Sequence, residues 1–172
     1  MQNKMCRHLA TAESRWALTV ARRSLVLGAL LAATVSLAAD IRISDLRDVN
    51  FGSVPPTAGR LVSTMDFCVG LDKNGGYQVI ARGTGPADAF TLSNGVHNIP
   101  YSLRYSDNPG RPGTLMRPGI PETGLNAKKR KKNGGDCNKP SASIEFAIES
   151  ADLQAAGAGQ YSGTLMLTVT PE

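Results

Sequence analysis

Apolar residues recur at every second position in several short runs. Ile99-Pro-Tyr101-Ser-Leu103-Arg-Tyr105 and Ser143-Ile144-Glu-Phe146-Ala-Ile148-Glu both alternate in this way, the spacing that lines one face of a half-buried strand. The same pattern puts Tyr161, Gly163, Leu165, Leu167 and Val169 on one face and Ser162, Thr164, Met166, Thr168 and Thr170 on the other, predicting a strand from Gln160 to Thr170. Shorter runs predict strands over Ile41 to Leu46, Thr64 to Leu71, Tyr77 to Ala81 and Ala89 to Leu92. Asn74-Gly75-Gly76 predicts a hairpin turn, because such residues accept positive φ. The sole helical candidate, Ser150 to Ala156, is expected to make one turn crossing between sheets before Gly157. About seven strands at short spacing predict an all-β, immunoglobulin-like β-sandwich.

Two regions stand outside the alternation. Residues 106–140 hold Pro109, Pro112, Pro118, Pro121, Pro140 and six glycines, and are expected to form a long excursion from the sandwich. The other region is the start of the chain. Lys4, Arg7, Arg15, Arg22 and Arg23 precede an uncharged run of about 15 residues, Leu25 to Ala39, which is short for a membrane span. Ser36-Leu37-Ala38 supplies the small residues a signal peptidase needs, so residues 1–38 are expected to be a signal peptide and 39–172 a single exported domain. Arg22-Arg23 leaves Sec and twin-arginine export open.

Export changes the charge picture. The whole chain carries +5, but the residues after the signal hold 14 Lys and Arg against 13 Asp and Glu. Five of those cations are consecutive, Lys128, Lys129, Arg130, Lys131 and Lys132. No aromatic residues interleave them to stack bases, and an exported chain meets no nucleic acid, so the run is expected to be a solvated loop tip or a contact for an anionic surface.

Cysteine chemistry agrees with export. Cys6 leaves with the signal, and Cys68 and Cys137 are expected to pair in an oxidising compartment. Closing a loop of that length constrains the unfolded chain by about 4 kcal/mol. His97 is the lone histidine after the signal and no Cys-x-x-Cys occurs, so no metal or other cofactor is expected. An enzyme needs a nucleophile, a base and an orienting group. His97, Ser93 and Ser102 offer no marked activation, and Glu145 and Glu149 are spaced too far along a strand to share a proton, so no enzymatic activity is expected.

The strand over 160–170 is the last one predicted, and a sandwich of this kind normally places a further strand beside its penultimate one. An open edge beside apolar side chains recruits other chains, and an incomplete sandwich that accepts a strand from another protein uses β-augmentation. Phe51-Gly52-Ser53-Val54-Pro55, the strand with Cys68, Gly76-Tyr77-Gln78-Val79, Ile99-Pro100-Tyr101-Ser-Leu103-Arg-Tyr105 and Ala158-Gly159-Gln-Tyr161-Ser-Gly163-Thr-Leu165 together resemble the spore coat protein U domain. That family includes pilins of the archaic, Csu-like chaperone–usher systems. The resemblance spans about Phe51 to Pro171.

The resemblance implies a structural subunit, passed from a periplasmic chaperone to an outer-membrane usher and joined to neighbouring pilus subunits in a surface fibre serving attachment and biofilm formation. It implies that Tyr161, Leu165, Leu167 and Val169 form the wall on which donated residues pack, and that the terminal carboxylate at Glu172 docks on basic residues of the chaperone. The family pattern has a cysteine before the Phe-Gly motif, and this chain has none there, leaving Cys137 as partner for Cys68. Asp40 to Leu46 is either a shortened donor strand or the domain's own first strand; its sparse alternation favours the latter. The alternative function is a self-contained secreted β-sandwich that binds carbohydrate or protein through its long loop.

Overall fold

A computed structural model of the chain describes residues 40–55, 57–72, 74–129 and 139–172; the expected signal segment 1–38 lies outside them. In chain order the strands are β1 (Ile41–Ser44), β2 (Leu61–Leu71), β3 (Gly75–Arg82), β4 (Thr91–Ser93), β5 (Asn98–Pro100), β6 (Ser102–Ser106), β7 (Thr114–Leu115), β8 (Pro121–Lys129), β9 (Ala142–Ile148) and β10 (Met166–Pro171), with one short helix, α1 (Ser150–Ala155).

The long strand β2 belongs to both layers of the sandwich. Its first part, Leu61 to Phe67, pairs antiparallel with β9, which continues to β6 and β7. Its last four residues pair antiparallel with β1, while Gly70 and Leu71 run parallel to Lys128 and Lys129 of β8, which leads on to β3 and β10. The burial pattern of β2 records the change. Exposed and covered residues alternate up to Phe67, then every residue from Phe67 to Leu71 is buried, because there the strand has neighbours on both faces. Between the layers lies a core that includes Phe67, Val69, Tyr77, Val79, Leu103, Tyr105 and Ile144, each at most 1% exposed. A smaller cluster of Ile99, Ile148 and Leu153 sits under α1. The expectation of an all-β sandwich therefore holds, and α1 is the brief crossing foreseen before Gly157.

Four expectations need correction. Residues 106–140 are not one long loop: they contain β7 and β8, and β8 occupies an interior position between β3 and β2. Its pattern was masked by Pro121 and by Gly124, which takes a φ of +70° where the β3–β8 register shifts between Tyr77 and Val79, the geometry of a glycine bulge. Binding through a long free loop thereby loses most of its expected surface.

Strand β3 follows β2 directly in the chain, but the two strands are not hairpin partners, since β8 lies between them. Gly75 and Gly76 do not take positive φ. Gly76 instead leaves room for Glu172, whose Oε2 sits 3.2 Å from where a Cβ would stand. Lastly, the ladder of the final strand starts at Met166 and ends at Pro171, and only an isolated bridge, Ser93 to Ser162, precedes it. The run Ile99 to Tyr105 likewise divides. The ribbon β4–β5 takes residues 98–100, and the chain passes to β6 after Tyr101, whose N–H donates to Phe90 O at 2.9 Å.

Candidate functional site

Strand β10 pairs with β3 on one side, from Met166↔Arg82 to Pro171↔Tyr77. Strand β1 pairs with β2. Among the described residues neither has a ladder on its other side, yet Cα atoms of the two strands approach within 8 Å. No ladder joins them, so two unpaired backbone edges face each other across a narrow gap. Following β1 through β2, β8 and β3 shows that β1 and β10 run antiparallel.

The side chains bordering the gap are apolar and incompletely covered. Leu165, Leu167 and Val169 point inward from the β10 side, and Ile41, Ile43, Val49 and Phe51 from the β1 side; all pack on the main core while remaining half-buried. On the adjoining strand β3, by contrast, Tyr77, Val79 and Ala81 are wholly buried. Cover is therefore lost across a single strand spacing. Outward residues of β10 are polar threonines, apart from Met166 at 62% exposed.

At one end the gap deepens into a cavity of about 130 Å³ lined by Val49, Phe51, Leu92, Tyr101, Phe146 and Leu165, together with Gly163 and the exposed residues Arg47 and Asp48. Its aromatic floor is held by stacking. The rings of Phe90 and Tyr101 are 5.7 Å apart at 23°, and those of Tyr101 and Phe146 are 6.0 Å apart and tilted. Burial raises the Tyr101 hydroxyl above its ordinary pKa. Two local devices shape the walls. Asn50 Oδ1 accepts a hydrogen bond from the N–H of Gly52 at 2.8 Å, and Gly52 takes a φ of +70°, which turns Phe51 into both hydrophobic clusters. Opposite, Ser93 and Ser162 exchange backbone hydrogen bonds of 2.8 and 3.0 Å, drawing Gly163 against Thr91.

The residues singled out from sequence divide between this groove and other places. Leu165 lines the cavity, and Leu167 and Val169 extend along the same border. Tyr161 is not among the cavity residues: its hydroxyl donates to Gly157 O at 2.8 Å and its ring packs on the smaller cluster under α1. Glu172 is bound within the fold, its N–H donating to Gly76 O at 3.0 Å and its Oε2 accepting from Gly124 N–H at 3.1 Å. Lys128 and Lys129 close β8 by backbone pairing, while Arg130, Lys131 and Lys132 lie outside the described residues.

Cys68 is buried, 2% exposed, on β2; Cys137 lies outside the described residues. His97 is exposed in the β4–β5 turn, where Asn94 Oδ1 accepts from the backbone N–H groups of Val96 and His97. Glu145 and Glu149 both pair with Arg60, at 3.7 and 2.9 Å. Val49, Leu92, Tyr101 and Phe146 carried no functional flag in the sequence. Tyr101 and Phe146 read there only as inward strand positions, and Val49 stands two before Phe51, a spacing that places both on one side of an extended segment.

No family model matches the sequence, and no curated protein matches it. Solved structures do. One is a chain of a chaperone–tip adhesin complex described as vital for synergistic activation of CFA/I fimbriae biogenesis: TM-score 0.56, 16% identity, with 78% of this chain and 43% of that chain covered. Another is a chain of the CsuC–CsuE chaperone–tip subunit pre-assembly complex from the archaic chaperone–usher Csu pili of Acinetobacter baumannii: TM-score 0.44, 19% identity, with 77% and 39% covered. This chain thus spans less than half the length of either. At 16% identity the first likeness speaks for the fold.

Proposed function

We propose that this chain is an exported structural subunit of a chaperone–usher pilus, completed by an extended strand from another polypeptide that lies in the groove between β1 and β10. The single observation carrying the reading is the pair of unpaired strand edges facing each other across a gap lined by half-buried apolar residues. A strand bonded to both edges needs them about 10 Å apart, more than the approach of β1 and β10 allows, so these edges would part to admit the added strand, which would then cover Leu165, Leu167 and Val169. Full transfer of such a side chain from water contributes roughly 1.5–3 kcal/mol; these are already half-covered, so about 1 kcal/mol each remains for the added strand, and several in register together with backbone pairing hold subunits together without covalent links.

The likeness to a chain of a chaperone–tip adhesin complex fits this reading. The proposal extends it with a periplasmic chaperone that occupies the groove first, an outer-membrane usher, and neighbouring pilus subunits that replace the chaperone. On this reading the protein is exported to the periplasm and then to the cell surface, where it serves attachment and biofilm formation. Strand β1 is engaged with β2 over Ile41 to Ser44, which favours its being the domain's own strand and not a donor. A Cys68–Cys137 bridge belongs to the same proposal. Ser141 N–H donates to Phe67 O at 3.0 Å, bringing the chain four residues after Cys137 beside Cys68.

The test is expression of the exported chain alone and together with an archaic-type chaperone. Alone it is expected to be marginally stable and to self-associate as its concentration rises, and with the chaperone soluble in a one-to-one complex. A cooperative, protease-resistant monomer that ignores both chaperone and strand peptides would end the reading.

A further inference from the structure

The groove poses a problem of register. A strand that slips by one residue turns its apolar side chains outward, but a slip of two leaves them facing the core. Alternation alone cannot tell those registers apart. Nor can the β10 side, because no residue from Gln160 to Pro171 is charged. The opposite wall is different, carrying Asp40, Arg42, Asp45, Arg47 and Asp48.

Most of that charge is already engaged. Arg42 Nε lies 3.5 Å from Asp40 Oδ2, and Asp45 Oδ2 accepts from the Ser44 hydroxyl at 3.2 Å. Arg47 and Asp48 differ. Both line the aromatic cavity, and among the described residues no hydrogen bond or ion pair is made by either side chain. The backbone at Arg47 is fixed, its N–H donating to Met65 Sδ at 3.3 Å. The groove therefore has one place where uncommitted charge meets a small, largely apolar cavity, and that place lies at one end.

We infer that Arg47, with Asp48 beside it, sets the register of the incoming strand. The inference rests on the proposed strand-accepting role and names the occupant's chemistry: an extended segment of another polypeptide with a large apolar side chain for the cavity and an acidic residue next to it for Arg47. Guanidinium is the better reader of the two groups, since its planar fork engages a carboxylate through two parallel hydrogen bonds. Asp48 rejects the same acid when it is displaced toward it, which sharpens the choice of position.

The experiment uses the full chain and fluorescently labelled peptides of about ten residues, a length set by the strand rise along residues 163–171. Valine and threonine alternate in every peptide, with one phenylalanine on the apolar face. One series carries a single glutamate moved in two-residue steps, a second carries lysine instead, and a third is uncharged. Anisotropy is read at low and high salt. The expected result is one favoured glutamate position, bound about two- to fivefold tighter than the others, the range of an exposed ion pair, with the preference fading in high salt. Arg47→Glu should erase that preference and transfer it to the lysine series at the same position, a reversal that loss of folding does not produce. A flat glutamate profile, or a preference untouched by Arg47→Glu, overturns this inference alone. Failure of every peptide to bind, the uncharged one included, overturns the groove reading and this inference with it.

Discussion

The hydroxyl oxygens of Tyr77 and Tyr105 lie 2.6 Å apart in the core, joining β3 of one layer to β6 of the other. Both residues are almost fully buried and their rings meet edge to face. The two hydroxyls satisfy each other where water does not reach, so removing one strands its partner. Tyr77→Phe or Tyr105→Phe should each cost about 1–3 kcal/mol, while the double Phe variant should lie closer to the original than either single change, because no buried group is then left unpaired. Urea unfolding of the three variants checks this. Additive losses would mean that the hydroxyls have other partners.

The same pair makes stability depend on alkaline pH. Burial pushes the Tyr77 hydroxyl up to about 12, with Asp107 adding to the rise and the bond to Tyr105 opposing it; Tyr105 is raised as well, first by burial and then by Tyr77. In the unfolded chain a tyrosine ionises near pH 10. Folding therefore favours the protonated form, and its contribution is whole below about pH 10 and is lost as pH rises from there toward about 12. For Tyr77 alone the loss is about 3 kcal/mol. Denaturation curves taken across this window should steepen in their decline relative to the double Phe variant, in which the extra loss disappears.

What the sequence made readable follows from how many faces of a strand are buried and how clean its alternation is. The inward residues of β9 and β6 alternate without glycine or proline among them, and Ile144, Phe146, Leu103 and Tyr105 lie in the core as read. The border residues Leu165, Leu167 and Val169 were readable for the same reason. Strand β8 was not, because Pro121 opens it and a positive-φ glycine bends it, so its two core residues, Leu125 and Ala127, are too few to announce a strand. The cavity was unreadable for another reason. Its lining comes from five separate stretches of chain, around residues 49, 92, 101, 146 and 165, and only the folded sandwich brings them together.

Gly163 is held where a side chain has no room. A Cβ there would stand 2.5 Å from Thr91 O and 3.2 Å from Leu92 Cδ2. Backbone oxygen cannot step aside, so Gly163→Ala should break the Ser93–Ser162 bridge and cost about 1–3 kcal/mol, the usual range for overpacking. Because Leu92 and Leu165 line the cavity on either side of this contact, strand-peptide affinity should fall along with the melting temperature. An unchanged melting temperature would show that the 160–165 segment yields freely.

Covalent closure is the next test. The proposed Cys68–Cys137 bridge predicts a mass two hydrogen atoms lighter than the free dithiol for material taken from the periplasm without reduction. It also predicts that Cys137→Ser lowers stability by about 4 kcal/mol, from the freedom regained by the unfolded loop. Free thiols in such material would remove the bridge from the proposal.

Leu167 and Leu103 give the sharpest contrast between a groove awaiting cover and a finished core. Leu103 is wholly buried on β6, and Leu103→Ala should cost about 2–5 kcal/mol in the chain by itself. Leu167 is half-buried on the open border, so part of its apolar surface still meets water. Leu167→Ala should therefore cost the empty chain clearly less than Leu103→Ala. The remaining portion, about 1 kcal/mol of a leucine's full transfer from water, becomes available only when a strand closes over it, and its loss should weaken peptide binding about fivefold. If Leu167→Ala instead destabilised the empty chain as strongly as Leu103→Ala and left peptide affinity alone, the border would already be complete and nothing would remain for a donated strand to cover.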